Sequence, residues 1–133
     1  MQLNHLDLSV PDVAAASAFL ADHFGFSLLL TKGNCGMAVL SGDGGVTLVL
    51  TRNEAPVYPK TFHIGFLVDD AGAVCAKHAE LAAAGVAGLS ALQELRGGPG
   101  FYCRTTWGIL LEVAQRTPLQ ANQHRRAGGD LAT

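Results

Sequence analysis

Apolar and polar residues alternate over two short stretches of this chain, 58 residues apart, and a helical stripe follows each. In the first, Leu6, Leu8 and Val10 make one face of a strand, and His5, Asp7 and Ser9 make the other. In the second, Phe62, Ile64, Phe66 and Val68 are the apolar face, with His63 and Gly65 opposite. Each stretch has a histidine at its second position and ends at an aspartate, Asp12 or Asp70, suited to cap a helix. Val13, Ala16, Leu20 and Phe24 then recur at helical spacing, as do Ala71, Val74, Cys75, His78 and Leu81. Gly25 and Gly85 stop these helices.

Three shorter strands follow each helix. The first set spans 26–31, 36–40 and 46–51, with turns at 32–34 and 42–45. The second spans 89–94, 101–105 and 109–114. Here Gly97-Gly98-Pro99-Gly100 reads as a flexible connection or lid and Thr106-Trp107-Gly108 as a tight turn. Val46, Leu48 and Leu50 pack inward from the fourth strand. Ile109, Leu111 and Val113 do so from the last, which turns Glu112 the opposite way. His5, His63 and Glu112 therefore all lie on the sheet face away from the helices. Segment 53–60, with Pro56 and Pro59, joins the halves.

The pattern predicts an α+β fold of two βαβββ repeats, about 1–52 and 61–115, within a single domain over 1–115. The helices cover the apolar face of each sheet. Residues 116–133 are polar, with Arg125-Arg126 and Gly128-Gly129, and read as a C-terminal tail.

Composition narrows the function classes. At 133 residues and 49% apolar content, the chain can pack a core. A net charge of -2 gives no basic footprint for nucleic acid and no polybasic patch for a membrane. The apolar runs are too short to span a bilayer, and the N-terminus has no secretion-signal pattern, so a cytoplasmic protein is expected. Cys35, Cys75 and Cys103 form no CxxC and read as three buried, reduced, structural thiols. His23 and His78 fall on helical core stripes and read as structural, and His124 in the tail as solvated.

The repeated units, the histidine in each first strand and the glutamate in the last strand resemble the vicinal-oxygen-chelate superfamily. That group includes glyoxalase I, extradiol dioxygenases, fosfomycin-resistance proteins and bleomycin-binding proteins. The matching segments are Asn4-His5-Leu6 with Val10-Pro11-Asp12, then Phe62-His63-Ile64-Gly65-Phe66, then Phe101-Tyr102 leading to Gly108 and Glu112.

The resemblance implies two half-barrels around one divalent ion held by His5, His63 and Glu112, with open positions for a small oxygen-chelating substrate. The ion could be iron, manganese, zinc or nickel. It also implies a homodimer, in which one chain supplies the first-strand histidine and its partner the second histidine and the glutamate. Tyr102 matches a tyrosine that fosfomycin-resistance members place near the substrate. Tyr102 and Arg104 share a strand face. Tyr102 could hydrogen-bond a substrate and Arg104 fix a carboxylate, or both could sit on an ordinary amphipathic strand. Asp7 could act as a base or support the ligands, or simply be solvated.

Two departures are informative. Glyoxalase I-type members carry a further glutamate ligand in the fourth strand, where Val49 stands here, which argues against a true glyoxalase I. Asp7 replaces a threonine of the fosfomycin-resistance members. Two functions follow as expectations. One is a metal-dependent lyase, isomerase or oxygenase. The alternative is a metal-free protein that binds a drug or metabolite, of the bleomycin-resistance type. Retention of all three ligand types favours the enzyme.

Overall fold

A computed structural model describes residues 1–95 and 97–115. The two aspartates cap their helices as the sequence predicts. Asp12 Oδ1 accepts from the Ala15 N–H at 3.0 Å, and Asp70 Oδ1 accepts from the Ala73 N–H at 2.7 Å. Each satisfies one of the backbone donors that a helix start leaves unpaired. Helix α1 runs Val13–His23 and α2 runs Ala71–Ala83. The chain leaves them through Gly25 and Gly85, at φ of 73° and 71°, where a side chain would be strained.

Each helix is set in a βαβββ repeat, as expected. The first repeat has β1 (His5–Val10), β2 (Ser27–Lys32), β3 (Met37–Ser41) and β4 (Thr47–Arg52), in the spatial order β1-β4-β3-β2. The second has β5 (His63–Val68), β6 (Gln93–Leu95), β7 (Gly98–Arg104) and β8 (Leu110–Gln115), in the order β5-β8-β7-β6. The outer pairs β1 with β4 and β5 with β8 are parallel, and the remaining pairs are antiparallel. Both sheets are mixed and open, and the fold class is α+β.

The chain divides into two compact units. One comprises Met1–Pro59 with Thr106–Gly108, the other the described residues of Lys60–Thr105 with 109–115. In the first, Val13, Ala16 and Leu20 of α1 are buried with Ala38, Leu40, Leu48 and Leu50 of β3 and β4. In the second, Val74 and Leu81 of α2 are buried with Phe101, Cys103, Leu111 and Val113 of β7 and β8. Trp107, at the tip of the β7–β8 hairpin, belongs to the first unit and meets Phe19 edge-on, with ring centroids 5.7 Å apart.

Several sequence expectations are corrected. Residues 98–100 open strand β7 and are not a connection or lid. Gly98 and Gly100 are buried, and a Cβ on Gly100 would come within 2.5 Å of Leu95 Cδ1. The β6 strand is confined to three residues, and the earlier part of 89–94 contributes only a single bridge from Leu89 to Cys103. Of the three free thiols only Cys103 is buried. Cys75 is exposed on α2 and Cys35 is half-buried. Burial pushes the Cys103 thiol up from its ordinary range, because desolvation disfavours the thiolate. The polar tail, 116–133, lies outside the described residues. No helix among the described residues is long and apolar enough to cross a membrane.

Candidate functional site

Strand pairing decides which side chains share a face. In the first unit the register joins His5 to Thr47, Asp7 to Val49 and Ser9 to Thr51. These stand on the face opposite Leu48 and Leu50, hence opposite α1. In the second unit His63 pairs with Leu110 and Gly65 with Glu112, while across β7 Tyr102 pairs with Glu112 and Arg104 with Leu110. His63, Gly65, Glu112, Tyr102 and Arg104 therefore share one face, opposite the buried Phe101, Leu111 and Val113 beneath α2.

The two histidines are held alike. His5 Nδ1 lies 3.0 Å from Asn4 Oδ1, and His63 Nδ1 lies 2.9 Å from the Thr61 carbonyl oxygen. Both partners are acceptors, so a neutral ring places its proton on Nδ1 and its lone pair on Nε2. Both residues are exposed.

The carboxylates differ in burial. Glu112 is only 7% exposed, and its Oε1 accepts from the Tyr102 hydroxyl at 3.2 Å. A Cβ on Gly65 would lie 3.1 Å from Glu112 Oε2, a tight contact that glycine avoids. Asp7 is exposed, and its Oδ1 accepts from Thr51 Oγ1 at 2.7 Å. Arg104 is exposed and donates from Nη2 to the Lys60 carbonyl at 3.2 Å.

Beneath the site the second unit is pinned by a chain of polar contacts that the sequence reading missed. His78 Nε2 donates to the Ser90 carbonyl at 2.8 Å, and its ring meets Phe101 edge-on. The Ser90 N–H donates to the Tyr102 carbonyl, and Ser90 Oγ accepts from the Tyr102 N–H at 2.9 Å. This fixes the backbone of the residue whose hydroxyl reaches Glu112. His78 is thus structural, as its helical position predicts. His23 likewise packs on Phe19, at 5.5 Å between centroids.

Imidazole nitrogens and a carboxylate are donor types that divalent ions accept. Among the described residues, neither unit by itself gathers three His, Cys, Asp or Glu side chains that could hold a metal. His5 and Asp7 stand on one sheet face of the first unit, and His63 and Glu112 on one sheet face of the second.

Residues 2–113 match the family model of the Glyoxalase/Bleomycin resistance protein/Dioxygenase superfamily. The chain belongs to this superfamily, the vicinal-oxygen-chelate group. Among solved structures of that fold, a possible glyoxalase from Bacillus cereus is 32% identical, with a TM-score of 0.78 over 86% of this chain and 98% of its own. The fosfomycin resistance protein FosX from Listeria monocytogenes superposes with a TM-score of 0.75 at 19% identity, covering 88% and 94%. A lactoylglutathione lyase from Agrobacterium tumefaciens gives 0.69 at 21%, covering 86% and 92%. At these lower identities the likeness is one of fold. No protein of curated function matches the chain.

Proposed function

We propose that this superfamily member is an enzyme that holds one divalent ion through His5 Nε2, His63 Nε2 and the Glu112 carboxylate. Its substrate would be a small molecule that chelates through neighbouring oxygens, and its reaction of the lyase, isomerase or oxygenase type. The observation that carries this reading is the register of β5 and β8, which puts His63 and Glu112 on one sheet face, away from α2. A carboxylate only 7% exposed is costly unless polar or cationic groups meet it, and the imidazole of His63 stands on the same face.

A bound divalent ion supplies Lewis acidity towards an oxygen on which negative charge develops. The chain's own residues do the rest. The Tyr102 hydroxyl lies beside Glu112, where it can orient that carboxylate or donate to a substrate oxygen. The exposed Arg104 guanidinium, on the same face, can hold a substrate carboxylate with the donors that Lys60 does not use. Leu110 and Leu67 present apolar surface between and beside these groups.

The two repeats, residues 1–115, are proposed to work as one domain and the chain as a homodimer, because donors from both units are needed to complete the ligand set. The three free thiols suit a reducing compartment and support a cytoplasmic protein.

Metal content tests the reading. Protein purified without a metal-binding tag is expected to carry, or take up from manganese, iron, zinc or nickel, about one ion per chain, and His63→Ala and Glu112→Ala are each expected to abolish uptake. Failure of the wild-type protein to bind any of these ions would overturn it and favour metal-free ligand binding.

A further inference from the structure

The two sheets end in edges of different kinds. β1 closes one side of the first sheet. There the Tyr58 hydroxyl donates to the Ser9 carbonyl at 2.9 Å and accepts from the Ser9 N–H at 2.7 Å. A side chain thus occupies backbone groups that a further strand would use. β6 closes one side of the second sheet and is only three residues long, with Glu94 at its centre. Short length and charge both protect an edge against unwanted strand pairing.

β2, the other end of the first sheet, has neither protection. It is six residues long, all exposed, with no proline and no charge before Lys32 at its end. Leu28, Leu29 and Leu30 are 50%, 61% and 42% exposed. A β-bulge falls among them. Leu28 pairs with Leu40 and Leu30 with Val39, so Leu29 is the extra residue. The bulge twists the strand and sets Leu29 and Leu30 together against Val39, yet all three leucines stay in solvent. Apolar surface on an open edge is what another strand covers.

The charges indicate which strand. Lys32, exposed, stands at the end of β2 next to the β2–β3 turn. At the other end Ser27 pairs with Ser41, and the exposed Asp43 follows it. A Cβ on Gly25 would lie 4.0 Å from Asp43 Oδ2. The edge is therefore cationic at one end, apolar in the middle and acidic at the other. A second β2, turned antiparallel about a two-fold axis, brings its Lys32 to the Asp43 end of the first and its leucines to the leucines of the first. Each contact is then made twice. A parallel copy would set like charge beside like.

We propose that two copies of this chain pair through β2, edge to edge and antiparallel about a two-fold axis, so that their first sheets become continuous. β2 carries none of the residues assigned to the metal, and the inference does not depend on that reading.

Sedimentation of the full chain, with a chelator present so that metal plays no part, reads the assembled mass. Leu29→Lys/Leu30→Lys is expected to run at half the mass of the wild type, with an unchanged circular dichroism spectrum. Lys32→Glu alone and Asp43→Lys alone are each expected to weaken self-association about 10-fold, because two symmetric contacts turn from attraction to repulsion. Lys32→Glu/Asp43→Lys together are expected to restore it. These exposed positions decide the matter even where the leucine variant fails to fold.

A wild-type chain that stays monomeric at every concentration would overturn the inference. So would wild-type mass in a folded leucine variant, or no recovery in the double charge variant. A mass that climbs without limit would overturn it too, since a two-fold contact closes on itself. Metal uptake is read separately, so the failure of either reading leaves the other to its own test.

Discussion

Gly65 shows how much a single missing side chain can carry. The position is extended, so the glycine is not there for its backbone freedom. A Cβ at this position would lie 3.1 Å from Glu112 Oε2. Gly65→Ala is expected to push the carboxylate aside by a few tenths of an ångström. The sheet should survive, because alanine fits a strand and the contact is with a side chain that can turn about its Tyr102 hydrogen bond. Metal affinity is expected to fall roughly tenfold while the melting temperature hardly moves. A large fall in thermal stability with unchanged metal affinity would show that Gly65 serves the sheet rather than the site. The sequence puts Gly65 on the face of His63 but does not set it against Glu112. Its meaning depends on cross-strand register, which pairs it with a residue 47 positions away.

At the scale of elements, the repeat was legible because its signals are local. Alternation, caps and terminal glycines act within a few residues, so β1, α1, β5 and α2 are found nearly where the pattern puts them. The face of Glu112 was equally legible, since two buried neighbours, Leu111 and Val113, fix the phase of β8. The stretch 89–100 was not. There the strand-forming residues are few, and Gly98-Pro99-Gly100 becomes strand because Leu95 and Gln115 fill the space that side chains would have taken. Cys75 reads as buried from its place in the α2 stripe, but it lies at the edge of that stripe and is exposed. Ser17 errs the other way: a polar residue that α1 turns into the core. It is 6% exposed, and its hydroxyl has no hydrogen-bond partner. An unsatisfied buried hydroxyl costs about 1–3 kcal/mol, and alanine is the better helix former. Ser17→Ala is therefore expected to raise unfolding stability by about 1 kcal/mol, read as a higher urea midpoint at unchanged slope. A loss of stability would mean that the hydroxyl finds a partner in solution.

For the whole molecule the proposed ligand set makes a prediction about which copies of the chain come together. Donors on β1 and donors on β5 and β8 belong to different units, and a ligand set drawn from both can be completed within one chain or across a two-fold dimer. We expect the dimer, and complementation separates the cases. His5→Ala and His63→Ala chains, each unable to hold metal alone, are mixed after unfolding and refolded together. If ligands are shared across the dimer, half of the refolded dimers pair one variant with the other. Each mixed dimer then has one site missing both histidines and one with both intact, so roughly a quarter of all sites should bind cobalt. If every site is built within one chain, no chain in the mixture holds an intact set and binding stays absent at any ratio. Sedimentation of the same samples shows whether the recovered binding travels with the dimer. Recovery of about a quarter at equal mixing, falling as either variant is put in excess, would fix the exchange of halves between copies. Its absence from a mixture that does form mixed dimers would place the whole ligand set within a single chain.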